Sequence, residues 1–252
     1  MGDRSTKFEN MPNYDSGPIR DHSVVSHEAW LAARTELLRR EKEFSKARDE
    51  MARLRRALPW EKVAKPYAFD GPNGRETLAD LFEGRRQLVV YHFMFDPSWS
   101  EGCAHCSFWA DSFNSLGTHL NHRDTTFVAI SRAPLARLQA FERRMGWSFK
   151  WVSSAPSDFN FDFGVSFTEE EQKRGAGVYN YTASESGSER EGASVFYKDE
   201  QGDVYHTYST YARGIDLLNV TYNFLDLTPK GRDEEKLSDP QAWVRHHDKY
   251  NY

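Results

Sequence analysis

The sequence predicts an α/β fold, a mixed sheet sandwiched by helices with one long helix ahead of it. Three observations carry this expectation. Two continuous apolar runs, Leu88–Phe95 (LVVYHFMF) and Thr126–Ser131 (TFVAIS), have the character of strands covered on both faces. Each is followed by apolar residues at helical spacing, Cys106, Trp109, Phe113, Leu116 and Leu120 after the first, and Leu135, Leu138, Phe141 and Met145 after the second. Ser194–Tyr197 and Val204–Tyr208 flank a DEQGD turn and read as an antiparallel hairpin. A parallel strand–helix–strand unit followed by a hairpin and a closing helix makes one sheet with both faces covered.

Taken in order, residues 1–25 are polar, contain Pro12, Gly17 and Pro18, and show no periodicity, as expected of a flexible arm. Residues 26–59 read as one long amphipathic helix. Ser26 can cap its first turn, Pro59 ends it, and no glycine or proline interrupts it. Apolar residues recur every seven positions at Trp30, Leu37, Phe44, Met51 and Leu58, with Ala33, Ala47 and Leu54 on the neighbouring line. Such a narrow seam packs either on the chain's own body or on a second subunit, and Arg40 on the neighbouring line weakens a strict coiled coil. A homodimer through this helix is therefore one of two readings.

Residues 60–228 form the α/β domain. It opens with turn signals (Gly71-Pro72-Asn73-Gly74) and a short amphipathic stretch, ETLADLFEG. Pro134 starts the second helix and Gly146 lies past its end. Phe149–Ser153 reads as a short strand and 158–192 as irregular, while Ile215, Leu218, Tyr222 and Leu225 mark the last helix. Residues 229–252 are a charged tail apart from Trp243 and Val244.

Composition narrows the function classes. Over 252 residues, 38% hydrophobic and 28% charged is too apolar for a disordered chain and too polar for a membrane bundle. The net charge of −5, with both signs mixed, gives no electrostatic reason to expect nucleic acid, and no membrane partner is expected either. The first residues lack the apolar stretch of a secretion signal, so the expected compartment is the cytoplasm. There is no Rossmann or Walker glycine pattern and no G-x-S-x-G, so no cofactor is expected.

The two cysteines of the chain are three residues apart, in C-A-H-C directly after a buried strand and at the start of a helix. One helical turn brings two such sulfurs within disulfide reach. Unpaired N–H groups at a helix start favour an anion, so Cys103 is expected to ionise readily and attack, while Cys106 starts the apolar face and resolves the mixed disulfide. His105, as a cation, is a candidate tuner of the Cys103 thiolate. Two other readings stand beside this one. The string C-x2-C-x12-H-x2-H, ending in His119 and His122, has a zinc-finger look, but on one continuous helix Cys106 and His119 would sit roughly 20 Å apart. No metal site is therefore expected unless the helix breaks near Gly117. Both thiols can also be small buried hydrophobes. A peroxide-reducing pattern is matched only in part, by Ser100 three residues before Cys103 and Pro97 six before it.

With a C-x-x-C at the first helix of such a fold, the chain resembles the thioredoxin superfamily. The segment WVSSAPSDFNFDFGV ahead of the hairpin is similar to its peroxiredoxin-like branch. More narrowly, WLAARTELLRREKE, YHFMFDPSW, GCAHCSFWAD, RMGWSFKW and HTYSTYARGIDLL resemble an uncharacterised thioredoxin-like family of predicted dithiol–disulfide oxidoreductases. The resemblance implies a thioredoxin-like domain over 60–228 and a redox dithiol at Cys103 and Cys106. It also implies a thiol or disulfide substrate and an unidentified reductant. One departure is visible: thioredoxin-like proteins place a cis-proline before the first hairpin strand, and here Ala193 or Ser194 stands there.

Trp99, in the loop before Cys103, is the candidate lip of the site, and Tyr208 and Arg213 in HTYSTYAR are candidate groups for a polar or anionic substrate. The expected function is a thiol–disulfide oxidoreductase. The alternative is a redox-silent binding module that uses an aromatic pocket on the same fold.

Overall fold

The computed structural model describes residues 22–184, 187–237 and 239–250. The expected arm lies outside the described residues except for its last four, which carry no regular structure. Helix α1 spans His27–Arg56, and Ser26 Oγ accepts the Ala29 N–H at 3.3 Å. It stops short of Pro59, because the residue preceding a proline is pushed out of the helical region. Its surface is laced by ion pairs such as Arg34–Glu41 and Arg53–Glu50. None of its residues is buried, and the five seam residues are 45% to 65% exposed. The seam does not pack on the chain's own body. No helix among the described residues is long and apolar enough to cross a membrane.

The chain then lays down β1 (Glu61–Lys62) and the hairpin β2 (Ala68–Gly71) and β3 (Gly74–Thr77), which turns through the expected glycine–proline signal. Gly74 has φ +110°, a conformation that L side chains rarely adopt. The central unit follows: β4 (Gln87–His92), α2 (Ala104–Ala110), α3 (Leu116–Asn121), β5 (Thr125–Ser131), α4 (Leu135–Met145) and β6 (Trp151–Ser153). Two short helices, α5 (Phe159–Asp162) and α6 (Glu169–Arg174), and a separate ribbon of β7 (Gly177–Tyr179) and β8 (Thr182–Ser184) occupy the stretch read as irregular. The hairpin β9 (Gly192–Lys198) and β10 (Val204–Tyr211) and helix α7 (Val220–Leu225) complete the fold.

The main sheet runs β1-β10-β9-β4-β5-β6-β2-β3. β4, β5 and β6 are parallel, and β9 runs antiparallel to both β4 and β10. This is the mixed sheet that the sequence predicts, a parallel unit with an antiparallel hairpin beside it, extended at both edges. Successive residues of β4 feed two cores. Leu88 and Val90 pack with Val128 and Phe196 on one face, and Tyr91 and Phe93 with Trp109 and Phe141 on the other.

Two helices expected to be continuous are interrupted. The face from Cys106 to Leu120 is split between α2 and α3. Asn114 causes the turn, because its side chain donates to Gly146 O at 3.1 Å and accepts the Ser148 N–H at 2.8 Å, anchoring the chain to the loop beyond α4. The last helix is a 3-10 segment over Ala212–Leu218 followed by α7, with Asn219 between them capping Tyr222 N–H at 2.9 Å. The tail returns to the domain. Val244 is buried, and Trp243 packs edge-on against Phe108 with centroids 5.3 Å apart.

Candidate active site

The β4–α2 connection places the two thiols. Gly102 must be small here, since a Cβ would lie 2.8 Å from the Phe93 ring. The neighbouring carbonyl, Gly102 O, accepts a 2.8 Å hydrogen bond from His246 Nε2–H, so the C-terminal tail braces this loop. Cys103 caps α2, and its N–H donates to Met94 O at 3.1 Å. The Met94 N–H in turn donates to Cys106 Sγ at 3.4 Å. Both cysteines are free, 4.1 Å apart, Cys103 half-buried and Cys106 buried.

Their environments separate the two thiols. Cys103 is held below the ordinary thiol value, chiefly because the Cys106 side chain hydrogen-bonds its sulfur, with the backbone N–H groups of Cys106 and His105 adding to this against burial and the Glu191 charge. Cys106 is pushed well up, first by burial and then by the neighbouring Cys103 and Glu191. The stabilisation of the thiolate is thus local hydrogen bonding at the first turn of a seven-residue helix.

A cavity of about 260 Å³ opens beside Cys106. His105, Arg213 and Glu191 contribute its polar wall, and Tyr91 and Trp109 its apolar floor. Tyr91 is fully buried, and its hydroxyl finds no hydrogen-bond partner among the described residues. Of the residues singled out in the sequence, His105 and Arg213 therefore meet Cys106 at this cavity. Arg213 is largely exposed and reaches Asp216 at 3.4 Å. Trp99 and Tyr208 are not among its lining residues. Trp99 packs, half-buried, against the core that also receives Cys103, and its carbonyl accepts from Arg137 at 2.7 Å. Tyr208 lies under the guanidinium of Arg55, 5.4 Å from its ring, at the foot of α1.

No cis peptide bond occurs among the described residues. Ala193 joins the core on the dithiol side of the sheet, whereas Ser194 faces away from it. The residue that approaches the dithiol ahead of β9 is Glu191. Sequence reasoning missed it, although the string EGASVFY places it two residues before Ala193. The helix break at 111–115 removes the geometric objection to zinc, but His119 and His122 are exposed, and no group of three or more metal-binding side chains converges among the described residues.

A family model described as bacterial proteins of unknown function (DUF899) matches residues 19–250. The chain belongs to this family. None of the curated proteins matches it. Among solved structures, peroxiredoxin Q of Xanthomonas campestris is similar at 14% identity and a TM-score of 0.45, over 68% of this chain and 98% of that one. Peroxidoxin BcpB of Mycobacterium tuberculosis gives 15% and 0.41, over 65% and 95%. A putative thiol:disulfide interchange protein DsbE from Chlorobium tepidum gives 14% and 0.38, over 69% and 99%.

Two polar clusters lie on the two faces of the sheet in this DUF899 chain, one of them bracing the loops around the dithiol. Arg132, after β5, donates to Asp96 at 2.8 Å and to Glu189 at 2.6 Å, joining the loop after β4 to the segment before β9. Ser166 also donates to Glu189, at 2.9 Å. On the opposite face of the sheet a hydrogen-bonded chain runs from His92 Nε2 through Ser194 Oγ and Ser209 Oγ to His206 Nε2, each step 2.7 Å. It ends at a separate cleft of about 610 Å³ lined by His206, Tyr211, Tyr181 and Phe163 among others.

Proposed function

We propose that the chain is a thiol–disulfide oxidoreductase that cycles Cys103 and Cys106. The Cys103 thiolate attacks one sulfur of a substrate disulfide, forming a mixed disulfide and expelling the other sulfur as a thiolate. Cys106 then gives up its proton and attacks Cys103 Sγ, which releases the second substrate thiol and leaves a Cys103–Cys106 disulfide. Two electrons pass from the dithiol to the substrate, and an external thiol reductant restores them. The single observation that carries this reading is the pair of free sulfurs at the start of α2, 4.1 Å apart, one activated and one suppressed. A rotation about each side chain closes that gap to the ~2.05 Å of a bond. Under this reading the working compartment is the cytoplasm, where a reductant keeps the dithiol open.

The test is titration of free thiols in graded glutathione buffers. The wild type is expected to lose both thiols together, with a midpoint between about −120 and −270 mV, the span of known exchangers. Cys103→Ser is expected to leave Cys106 free throughout. Thiols that never pair would exclude the cycle. Turnover of glutathione disulfide, insulin and peroxide then identifies the substrate class, including whether the peroxiredoxin-like reading holds.

A second reading rests on the 610 Å³ cleft, which is larger than the cavity at the dithiol and draws His206 and Tyr211 from the HTYSTYAR stretch. In a redox-silent binding module this cleft holds the ligand. Ligand-induced protection that is unchanged in Cys103→Ser and absent in His206→Ala separates the two.

A further inference from the structure

Helix α1 presents four large apolar side chains to solvent along one line, with Leu58 two residues past its end, and the body of the chain buries none of the five. At ~1.5 Å per residue its thirty residues span roughly 45 Å, enough for about four heptads. We propose that α1 pairs with α1 of a second copy of this chain, in parallel and in register, as a two-stranded coiled coil.

With Trp30 at the first position of the heptad, the seam is Trp30, Leu37, Phe44, Met51 and Leu58. The fourth positions are Ala33, Arg40, Ala47 and Leu54. The flanks decide the occupant and its direction. The seventh positions are Glu36, Glu43 and Glu50, and the fifth positions are Arg34, Glu41, Arg48 and Arg55. In a parallel pair each seventh position faces the fifth position of the next heptad on the other helix. This sets Glu43 against Arg48 and Glu50 against Arg55, twice each by symmetry. The remaining pair, Glu36 with Glu41, is of like charge, but Arg40 at the seam lies between them and already reaches Glu36 at 3.5 Å. An antiparallel pair would instead align glutamate with glutamate along the whole seventh-position flank, which is repulsive. The seam therefore fits another copy of itself in one orientation. A parallel pair also brings both bodies to the same end of the coil, since each follows the C-terminus of its own helix.

The full chain at micromolar concentration is expected to sediment at twice its monomer mass. The double variant L37E/F44E is expected to sediment as a monomer with unchanged thiol alkylation rates, because α1 contributes nothing to the buried cores. Orientation is read from M51C in a C103S/C106S background. Oxidation is expected to link position 51 to position 51 of the other copy, whereas an antiparallel pair, in which first positions face fourth positions, links M51C only to A33C in a mixed sample. A monomeric wild type, a dimer that survives L37E/F44E, or linkage only between positions 51 and 33 overturns the proposal. Co-sedimentation of monomeric wild type with anionic vesicles also overturns it, since the seam would then face lipid.

Discussion

The Met94 backbone holds both halves of the dithiol: its carbonyl accepts the Cys103 N–H at 3.1 Å, and its N–H donates to Cys106 Sγ at 3.4 Å. Cys106 is therefore fixed in place with its own S–H free to point at Cys103. That donor is the largest influence lowering the Cys103 thiol. A hydrogen bond to a charged group is worth about 1.5–3 kcal/mol. Cys106→Ala removes the donor and should slow alkylation of Cys103 by iodoacetamide at pH 7 roughly tenfold. Cys106→Ser, which keeps a donor, should slow it much less. Equal rates in the two variants would mean that the backbone N–H groups alone hold the thiolate.

Glu191 acts in the opposite direction, raising both thiols by its negative charge. Glu191→Gln keeps the shape and removes the charge. Alkylation of Cys103 at pH 7 should then rise by about two- to fivefold, the scale of a partly screened charge near a surface. The acceleration should shrink in high salt, where such a charge is screened further. An unchanged rate at low salt would place Glu191 outside the electrostatics of the site.

His105 entered the sequence reading as a cationic tuner, but its contribution to the Cys103 thiolate comes from its backbone N–H. His105→Ala retains that N–H. The pH profile of Cys103 alkylation should accordingly stay within about twofold of wild type. A profile displaced to higher pH would restore the imidazole to its expected role.

The legible parts of this fold are those where burial leaves a pattern in consecutive residues. β4 and β5 are covered on both faces, so LVVYHFMF and TFVAIS could carry almost no charge, and their place in a sheet is plain from the string. The hairpin was visible through its turn, and its strands extend beyond the read segments because alternation alone does not mark where pairing stops. The break between α2 and α3 was hidden, since Phe113 and Leu116 keep helical spacing across it and only the tertiary bonds of Asn114 reveal the turn. Glu191 was hidden for another reason: it meets the dithiol across the sheet, through a contact that no local spacing records. The seam of α1 was legible as a seam, but periodicity does not say what lies opposite it.

Arg132 is a half-buried cation between two acids, and its loss should lower stability. Arg132→Ala leaves Glu189, whose side chain is 1% exposed, without its principal partner. Burial already pushes Glu189 up to about 7, so without Arg132 the fold either carries a buried charge or takes up a proton, and the loss should be about 1–3 kcal/mol. Urea unfolding should register most of that loss. Adding Glu189→Gln should recover part of it, because a neutral amide can keep the Ser166 bond without a buried charge. A double variant no more stable than Arg132→Ala would show that the loss comes from Asp96 and the loop after β4.

The buried histidine sets a pH limit on the fold. Burial pushes His92 down to about 3, with repulsion from His206 adding to it. Nδ1 of His92 has no partner among the described residues, so the arrangement that leaves no buried N–H unpaired puts its proton on Nε2, donating to Ser194. Protonation would leave a second N–H buried without an acceptor at Nδ1. In the unfolded chain the same imidazole titrates near ~6.5. Between those values the unfolded state binds a proton that the native state refuses, so stability rises with pH across this window and is lost as pH falls from about 6.5 towards 3. At ~1.36 kcal/mol per unit, the loss from this residue between pH 7 and 4.5 should be about 2–3 kcal/mol. Urea unfolding at the two pH values measures it. His92→Gln removes the titration and should flatten that part of the dependence while costing stability at pH 7. An equally steep dependence in the variant would assign the acid sensitivity to His206, which burial lowers as well, or to the carboxylates.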